Sequence, residues 1–498
     1  MKGKGNNYRI RQVNHKPLKL IPSKVVCESM ADLSFFFNPS SIAVIGASDT
    51  VGSVGYEIMK NLTEDFPGEL YPISIKQKLI FGKPSYKSIL DVPNKIEMAV
   101  IAIAAPFVSD VLEECGKKGV KGVIIVSGGF SEIGEKEREN KLLEISKKYG
   151  IRIIGPNCIG IYDNFSGVNT IFLSKDKISY PAKGKISFLS QSGAFAGLIL
   201  DWTSKERIGI SNVVSYGNKI DVNEADLLDY LCDDENSKVI CLYIEGIRRG
   251  QRFMESAKRV SKKIPILALK SGKTKSGAKA ASSHTGSLAG EDIIYDSAFK
   301  QSHIIRANNF EELFDMAKAL EKQIFPKSDG VAIITNAGGL GVMTADALEM
   351  NGLRLANLGE DTIKKLKEQF PERVVVSNPM DLVGDADKER YEVGLKALLE
   401  DKDVGLIIVI LLLQVPTLSL DSVDTVLKIK KSSEKPMIIL GAGGEIITPY
   451  LKKLEEGELA VYPSPERAAR AAYALVNHAI VRGDIHRERK ENIGVCKI

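Results

Sequence analysis

The sequence predicts an α/β protein made of three doubly wound parallel-sheet domains. Short runs rich in valine and isoleucine alternate with amphipathic stretches along almost the whole chain, which is the pattern of parallel strands wrapped by helices. The 498 residues are also too many for one ordinary core, and about 150 residues per domain suggests three domains.

Composition indicates a soluble globular protein with neither a nucleic-acid nor a membrane partner. The net charge of +5 is the small difference between 68 basic and 63 acidic residues, so neither sign dominates. The longest apolar run, residues 406–413, is far shorter than the ~20 residues of a membrane-spanning helix. The six cysteines form no CxxC pair, which argues against a metal site or a disulfide framework and fits the reducing cytoplasm.

The first domain is predicted at residues 31–178, after a basic N-terminal extension at residues 1–30 that lacks the apolar run of a signal peptide. Its strands are predicted at residues 42–45, 70–75, 98–103, 120–126 and 151–154. A charged amphipathic helix is predicted at residues 135–149, between the last two strands.

Two more domains are predicted at residues 179–325 and 326–485, followed by a tail at 486–498. Their strands are predicted at residues 185–189, 212–215, 239–244, 266–269, 331–335, 406–413 and 437–440, with helices at 310–322 and 465–478. Residues 271–290 are too polar and too small for a strand or a packed helix, and so long a loop in a compact domain is usually functional.

One arrangement recurs in all three domains: a hydrophobic strand, a turn of small residues and then a helix. The free N–H groups and positive dipole end of such a helix can hold an anion. The first turn, residues 45–55, has its glycines at positions 46, 52 and 55 and so is not the GxGxxG of dinucleotide enzymes. The second, residues 188–193, precedes a helix predicted at 194–202, and the third, residues 335–341, precedes one predicted at 342–349.

Each turn also has a simpler interpretation. The first could be a tight turn without a ligand, and the second an ordinary serine–glycine N-cap. In the third, three glycines in four residues favour the close approach of a ligand to the backbone. After the second predicted strand, where an NAD enzyme commonly has an acid, the chain has Lys76, which suits an extra phosphate as in NADP or CoA.

His284 is the candidate nucleophile, because small residues surround it in the long loop and an imidazole is a competent nucleophile near neutral pH. Such a histidine needs a carboxylate to fix its tautomer. Glu245 follows the strand predicted at 239–244, at the carboxyl edge of the sheet where ligands gather in open α/β folds. A solvated loop histidine and an ordinary surface glutamate are the alternatives.

Taken together, these motifs resemble the α subunit of ADP-forming acetyl-CoA synthetase, in the superfamily that includes succinyl-CoA synthetase. The resemblance covers nearly the whole chain from residue 33, and its most specific motif is Ser-His-Thr-Gly at residues 283–286. The other matching segments are residues 46–55, 155–160, 190–193, 217–221, 245–246, 270–272, 335–341, 378–381 and 441–444.

The resemblance implies a Rossmann-like CoA-binding domain followed by two flavodoxin-like ligase domains. It implies that CoA is surrounded by Gly46, Ser48, Gly52, Ser53, Gly55, Lys76 and Asn157. It implies a phosphate site at Ser190, Ser192, Gly193, Gly339 and Gly341. His284 would become phosphorylated, with Glu245 steadying it. The usual Asn-Pro before the lysine is here Ser74-Ile75, a departure from the family pattern next to Lys76.

The implied reaction is reversible. Phosphate attacks an acyl-CoA thioester, CoA leaves and an acyl phosphate forms; His284 then takes the phosphoryl group, the small carboxylic acid is released, and the phosphohistidine passes the group to ADP. Nothing in the chain resembles an ATP-grasp domain, so ADP or ATP and Mg²⁺ are expected on a partner ATP-grasp β subunit. The family suggests an α2β2 assembly.

Three other functions are alternatives. A non-catalytic CoA-binding regulatory or scaffold protein would have no use for the pair His284 and Glu245. A protein acyltransferase would need a further domain, for which the C-terminal segment leaves no room. An NADP oxidoreductase rests on Lys76 alone and gives the His284 loop no role. The sequence does not indicate which acid is the substrate or which direction is physiological.

Overall fold

The computed structural model describes residues 32–279 and 291–485 of the protein. Its mainly parallel sheets, with helices on their faces, confirm the predicted α/β fold class. When the two-residue strand β16 and the antiparallel edge strand β8, both defined below, are left out, all three main sheets have the strand order 2-1-3-4-5. The three domains therefore repeat one doubly wound topology.

The first sheet has five parallel strands in the order β2-β1-β5-β6-β7, and a short hairpin is made by β3 and β4. The strands are β1 (Ser41–Ile45), β2 (Glu69–Ile73), β3 (Leu79–Ile80), β4 (Lys83–Pro84), β5 (Met98–Ile101), β6 (Gly122–Ile125) and β7 (Arg152–Ile154). The helices are α1 (Ser34–Phe37), α2 (Val54–Asp65), α3 (Ala105–Lys118) and α4 (Lys136–Tyr149), with 3-10 turns at Ile89–Asp91 and Ser131–Ile133.

The second sheet has six strands in the order β13-β12-β11-β9-β10-β8. The strands are β8 (Gly160–Asp163), β9 (Lys183–Ser190), β10 (Ile210–Ser215), β11 (Val239–Ile244), β12 (Ile266–Lys270) and β13 (Ile305–Ala307). The helices are α5 (Gly193–Lys205), α6 (Glu224–Leu231), α7 (Gly250–Val260), α8 (Asp292–Gln301) and α9 (Phe310–Lys322).

Strand β8 was not predicted. Its residues lie in the range assigned to the first domain, yet it pairs antiparallel with β10 at the edge of the second sheet. The chain therefore reaches the second sheet before it enters β9. A four-residue run that begins with glycine and ends with aspartate has too little apolar pattern to stand out in the sequence.

The third sheet has the order β15-β14-β17-β18-β19, and β16 also pairs with β14. The strands are β14 (Gly330–Thr335), β15 (Arg354–Leu355), β16 (Met380–Asp381), β17 (Val404–Ile410), β18 (Met437–Leu440) and β19 (Ala460–Tyr462). The helices are α10 (Gly338–Met350), α11 (Glu360–Gln369), α12 (Lys388–Glu400), α13 (Leu420–Lys431), α14 (Thr448–Glu456) and α15 (Pro465–Arg482).

Helices α9 and α15 join the second and third domains. Phe314 on α9 and Leu475 on α15 belong to one buried apolar cluster that also contains residues of both sheets. Within it, the Arg467 guanidinium holds the Asp315 carboxylate through Nε–Oδ2 and Nη2–Oδ1 distances of 2.7 and 2.6 Å. Because a buried ion pair needs such matched geometry, this contact fixes how the two helices meet.

No helix in the described ranges combines the length and the apolar character required to cross a lipid bilayer.

Candidate functional site

Each strand–turn–helix unit lies at the same place in its sheet. With β8 and β16 again left out, strands β1, β9 and β14 are each the first strand of their sheet, and the chain moves to one side for the second strand and to the other side for the third. The turn that follows each of them therefore lies at the carboxyl edge, where the strand order reverses. Open α/β sheets bind their ligands at this switch point.

Two glycines of the first turn are required by close backbone contacts. Gly46 has φ +94°, and a Cβ built on it would lie 2.3 Å from the carbonyl oxygen of Ala102. A Cβ on Gly55 would lie 1.9 Å from the carbonyl oxygen of Gly46. The turn is thus pressed against the end of β5 on one side and the start of α2 on the other. Gly52 has φ +80° but open space around it.

The two serines of the first turn shape the turn itself. Ser48 Oγ accepts the N–H of Thr50 at 2.9 Å. Ser53 is the N-cap of α2: its Oγ accepts the N–H of Tyr56 at 3.2 Å and donates to the Thr50 carbonyl at 2.8 Å. Direct contact of either hydroxyl with CoA stays a prediction.

Asp49, which the sequence analysis did not single out, ties this turn to the segment after β2. Its N–H donates to Gln77 Oε1 at 3.2 Å, and its Oδ1 accepts the N–H of Phe81 at 3.1 Å. Lys76 is exposed in that same segment, three residues beyond the end of β2 at Ile73. The strand predicted to extend to residue 75 is therefore shorter, and Lys76 lies in the loop that follows it.

Asn157 lies where the first domain meets the second. Its φ of +58° is in the left-handed region, and its Nδ2 donates to Asn218 Oδ1 at 3.3 Å. A Cβ on Gly217 would lie 2.3 Å from the carbonyl oxygens of both Pro156 and Asn157. Asn157, which the sequence predicts to contact CoA, is thus packed directly against the Gly217–Asn218 turn of the second domain.

In the second turn, the Ser190 hydroxyl is fully buried and occupied. It donates to the Ser192 carbonyl at 2.7 Å and accepts the Ser192 N–H at 3.1 Å. Ser192 caps α5 by accepting the N–H of Phe195 at 3.3 Å, and Gly193 is the first residue of the helix. Phosphate contacts of these three residues stay a prediction.

The third turn repeats the second. Thr335 Oγ1 donates to the Ala337 carbonyl at 3.0 Å and accepts the Ala337 N–H at 2.8 Å. Helix α10 then begins at Gly338, so the predicted start at residue 342 is wrong. Because glycine is unfavourable inside helices, the sequence analysis predicted that the helix begins after the glycines. Gly339 is exposed in the first turn of the helix, whereas Gly341 is buried and its N–H donates to the Ala337 carbonyl at 3.1 Å.

In the second and third turns, an amide side chain binds residues that follow a neighbouring strand, β11 or β17. Gln191 Oε1 accepts the N–H groups of Glu245 and, at 2.9 Å, Gly246, while its Nε2 donates to the Gly246 carbonyl at 2.7 Å. Asn336 binds both the N–H and the carbonyl of Leu412, at 2.9 and 3.2 Å. The sequence signal was present as hydroxyl–amide–x–Gly at residues 190–193 and 335–338, but it was not recognised as a repeat.

Glu245 lies where the sequence placed it, directly after β11, and is partly exposed. Two tyrosines feel its charge, the buried Tyr216 and the half-buried Tyr243. Burial raises the pKa of Tyr216 and of Tyr243, and the Glu245 carboxylate contributes to both shifts. The Tyr216 hydroxyl has no hydrogen-bond partner among the described residues.

A buried lysine, Lys219, also binds the segment that follows β11. Lys219 donates to the two Glu224 carboxylate oxygens at 2.8 and 3.1 Å and also to the Gly246 carbonyl. Burial lowers the pKa of Lys219, and the Glu224 charge opposes that shift. Gly246 is therefore held by both Gln191 and Lys219, which fixes the direction in which Glu245 leaves the sheet.

His284 lies outside the described residues. Of the loop predicted at residues 271–290, residues 275–279 form a short helical segment with no fully buried residue. Thr274 caps these residues: its Oγ1 accepts the N–H of Gly277 at 3.1 Å, and its carbonyl accepts the N–H of Ala278 at 2.7 Å. A threonine cap compensates for the small side chains that follow.

Comparison with known proteins assigns the three domains to families. Residues 40–164 match a CoA binding domain, residues 183–320 match the succinyl-CoA ligase like flavodoxin domain, and residues 331–445 match a ligase-CoA domain. Over 454 residues, the chain is 44% identical to the alpha subunit of acetate–CoA ligase [ADP-forming] II from Pyrococcus furiosus, covering 90% of this chain and 98% of that subunit. The chain belongs to the ADP-forming acetate–CoA ligase family.

Two further relatives of this ligase extend the comparison. The acetate–CoA ligase [ADP-forming] of Methanocaldococcus jannaschii is 46% identical over 91% of this chain, which spans only 64% of that longer protein. A solved structure of acetyl-coenzyme A synthetase 1 from Candidatus Korarchaeum cryptofilum, in complex with phosphate and ADP, superposes with a TM-score of 0.86. It is 37% identical and covers 91% of this chain and 98% of that chain.

Proposed function

We propose that this ligase chain is the CoA-binding, phosphohistidine-carrying subunit of a cytoplasmic enzyme that interconverts acyl-CoA, ADP and phosphate with acid, CoA and ATP. The observation that carries the proposal is the Gln191 contact, which binds the backbone of Glu245 to the residue just before the N-cap of α5 at a switch point. A CoA-binding domain lies directly beside this point, because Asn157 packs on Gly217.

The first turn is proposed to hold the diphosphate and adenosine end of CoA. The free N–H groups at the start of α2 favour an anion. Gly46 and Gly55 let the turn pack closely against its neighbours, so that its backbone can approach the ligand. Lys76 would add a charge contact from the adjacent loop. Asn157 would meet the part of CoA that reaches the second domain.

The phosphoryl chemistry is proposed to occur between the second and third turns. Phosphate attacks the thioester carbonyl and the thiolate of CoA leaves, giving an acyl phosphate. The His284 imidazole then attacks phosphorus, and the carboxylate of the acid leaves. Helices α5 and α10 would stabilise the negative charge with the N–H groups at Gly193 and Gly339, while an ionised Glu245 accepts the imidazole N–H and stabilises the positive charge that forms on the ring.

The partner is proposed to be an ATP-grasp β subunit that holds ADP or ATP and Mg²⁺, in an α2β2 assembly. The alpha-subunit name of the Pyrococcus furiosus relative supports a partner, and the longer Methanocaldococcus jannaschii relative supports a further domain that can be fused to this chain. The phosphate and ADP in the Korarchaeum complex fit the same chemistry.

A turnover assay tests the proposal. The purified chain is mixed with acetyl-CoA, ADP, phosphate and Mg²⁺, with and without a candidate ATP-grasp subunit, and both ATP and free thiol are measured. We expect both products, in equal amounts, only when the two proteins are together, and a rate at least about 100-fold lower for Glu245→Gln. A chain that binds CoA but gives no product with short, branched, aryl and hydroxy acyl-CoAs would instead be a non-catalytic CoA-binding protein.

A further inference from the structure

Asn218 joins the second domain to the first through its side-chain amide. It follows β10 in the second domain, but its Nδ2 donates to two carboxylates of the first domain, to Glu132 Oε2 at 2.6 Å and to Glu139 Oε1 at 2.8 Å. Glu132 lies in the 3-10 turn Ser131–Ile133, and Glu139 lies on α4 and is only 5% exposed. A hydrogen bond to a carboxylate is among the stronger ones in proteins, so the amide is held firmly.

The first of these acceptors is itself fixed by the backbone of its own domain. Glu132 Oε1 accepts the N–H of Gly129 and, at 3.0 Å, that of Phe130. Burial by itself would raise the pKa of Glu132, but the hydrogen bonds from Asn218 and from these two N–H groups lower that pKa overall. Glu132 is therefore an ionised acceptor at neutral pH, and Asn218 meets it at a position that the first domain sets.

These contacts decide which way round the Asn218 amide lies. A carboxylate only accepts hydrogen bonds, so the NH2 group must face Glu132 and Glu139, and Oδ1 is left for another donor. That donor is Asn157, whose Nδ2 lies 3.3 Å from Asn218 Oδ1. Asn157 must then turn its own Oδ1 elsewhere, and this oxygen lies 3.4 Å from a Cβ built on Gly128.

The Asn157 side-chain oxygen is thus an oriented acceptor. Asn157 is exposed, and within residues 32–279 and 291–485 no donor binds this oxygen. A ligand group that meets it must supply a hydrogen, since an acceptor is matched only by a donor. The pantetheine arm of CoA has amide N–H groups, whereas the diphosphate has only acceptors. The oxygen therefore suits the arm of CoA and not its diphosphate.

The Gly217–Asn218 turn also borders the second strand–helix turn. Tyr216, the residue before Gly217, donates its backbone N–H to the Ser190 carbonyl at 3.0 Å. The segment 216–218 therefore lies between Asn157 of the CoA-binding domain and the turn at which phosphoryl chemistry is proposed. The thioester at the end of the pantetheine arm has to pass from one to the other.

We propose that Asn218 is a positioning residue for CoA: it orients the Asn157 amide so that its oxygen accepts an N–H of the pantetheine arm, which directs the thioester towards the second turn. This inference rests on the proposed function, because it takes Asn157 as a CoA contact. Asn218 acts through Asn157 and touches no reacting atom.

The test compares two ligands by isothermal titration of the purified full-length chain: CoA, and adenosine 3′,5′-bisphosphate, which lacks the pantetheine arm. We expect Asn218→Ala to weaken CoA binding by about threefold to tenfold, the range of one hydrogen bond, and to leave the affinity for the bisphosphate unchanged. Because Asn218 acts through Asn157, the double variant with Asn157→Ala should bind CoA no more weakly than Asn157→Ala alone.

Asn164→Ala is the matched control. Asn164 is also a half-buried asparagine whose Nδ2 makes two hydrogen bonds, to the Pro181 and Ile210 carbonyls at 3.1 and 3.2 Å, but it lies near the opposite end of β10. Its replacement should reduce stability without changing the affinity for either ligand.

Asn218→Ser provides a second variant if the alanine variant does not fold. Its hydroxyl can still donate to a carboxylate, but its side chain is too short to accept from Asn157 at the same time. We expect the same selective loss of CoA affinity as for Asn218→Ala.

The two proposals fail in different ways. If the wild-type chain binds no CoA, or binds CoA but makes no ATP with its partner, the proposed function is wrong. If wild type binds CoA and is active, the role of Asn218 is overturned by alanine and serine variants that bind CoA as tightly as wild type. It is equally overturned if they lose affinity for both ligands alike, and in either case the proposed function stands.

Discussion

Gln191 and Glu245 are joined across the switch point of the second sheet, because the Gln191 side-chain oxygen accepts the backbone N–H of Glu245. The same side chain binds the N–H and the carbonyl of Gly246. The start of α5 and the backbone of Glu245 are therefore coupled. The N-terminus of α5 and Glu245, which would act on one phosphoryl group, are thus joined by a single side chain.

Replacing Gln191 by alanine should separate these groups. We expect a loss of about 1–3 kcal/mol in the free energy of unfolding, because buried backbone groups lose their partners, and a fall in turnover of roughly 100-fold through misplacement of Glu245. Gln323→Ala is the control, since Gln323 is also a buried glutamine that binds two backbone groups, those of Met437 and Glu458, but far from the turn. Denaturant unfolding and ATP formation check the pair; equal losses of turnover in both variants would contradict the assignment.

The first two glycines of α10 should respond in opposite ways to alanine. A Cβ on Gly338 would lie 2.4 Å from Asp381 Oδ2, whereas a Cβ on Gly339 would meet nothing within 4 Å. We expect Gly338→Ala to lose about 1–3 kcal/mol through the forced shift of Asp381. Gly339→Ala should gain roughly 0.5–1 kcal/mol, because alanine has the lower conformational entropy in a helix. Urea unfolding measures the change in the free energy of unfolding for both variants. Changes of the same sign would contradict a helix that begins at Gly338.

Lys76 should discriminate CoA from dephospho-CoA if it contacts the 3′-phosphate. Because the side chain is exposed, we expect Lys76→Met to weaken CoA binding by only about threefold to fivefold and to leave dephospho-CoA binding unchanged. Lys78→Met, two residues further along the same exposed segment, should change neither affinity. Isothermal titration with the two ligands decides the matter, and equal weakening for both ligands would place Lys76 elsewhere on CoA.

Stability should fall on acidification because of His478. Burial, with the nearby Arg482, lowers the pKa of this histidine to about 4. The unfolded chain, with a pKa near 6.5, binds the proton first, so between these two values stability decreases as the pH falls, by up to about 1.4 kcal/mol per pH unit. His478→Phe should lack this component in unfolding measured at pH 7.5, 6 and 5. Parallel curves for the variant and the wild type would contradict it.

How much the sequence could predict depended on the length of each element. Strand β11 and helix α9 were predicted at their observed bounds, because long apolar runs and amphipathic periods mark them clearly. Strands β13, β15 and β19 have only two or three residues, which is too short for any period to show. Their pairing is decided by the neighbouring strands of the folded sheet.

The same limit applies to the candidate site. The three turns and Glu245 could be located because each follows a recognisable strand. The Gln191 contact with Glu245 and the packing of Asn157 against Gly217 join segments that are far apart in the chain, so only the folded structure brings them together.

The most direct measurement is transfer of ³²P from labelled phosphate to the chain in the presence of acetyl-CoA, with and without the ATP-grasp partner. We predict acid-labile, base-stable label on the wild-type chain, none on His284→Ala, and its loss as labelled ATP when ADP and the partner are added. Label that persists in His284→Ala, or a wild-type chain that stays unlabelled while it binds CoA and the partner, would contradict the phosphohistidine account.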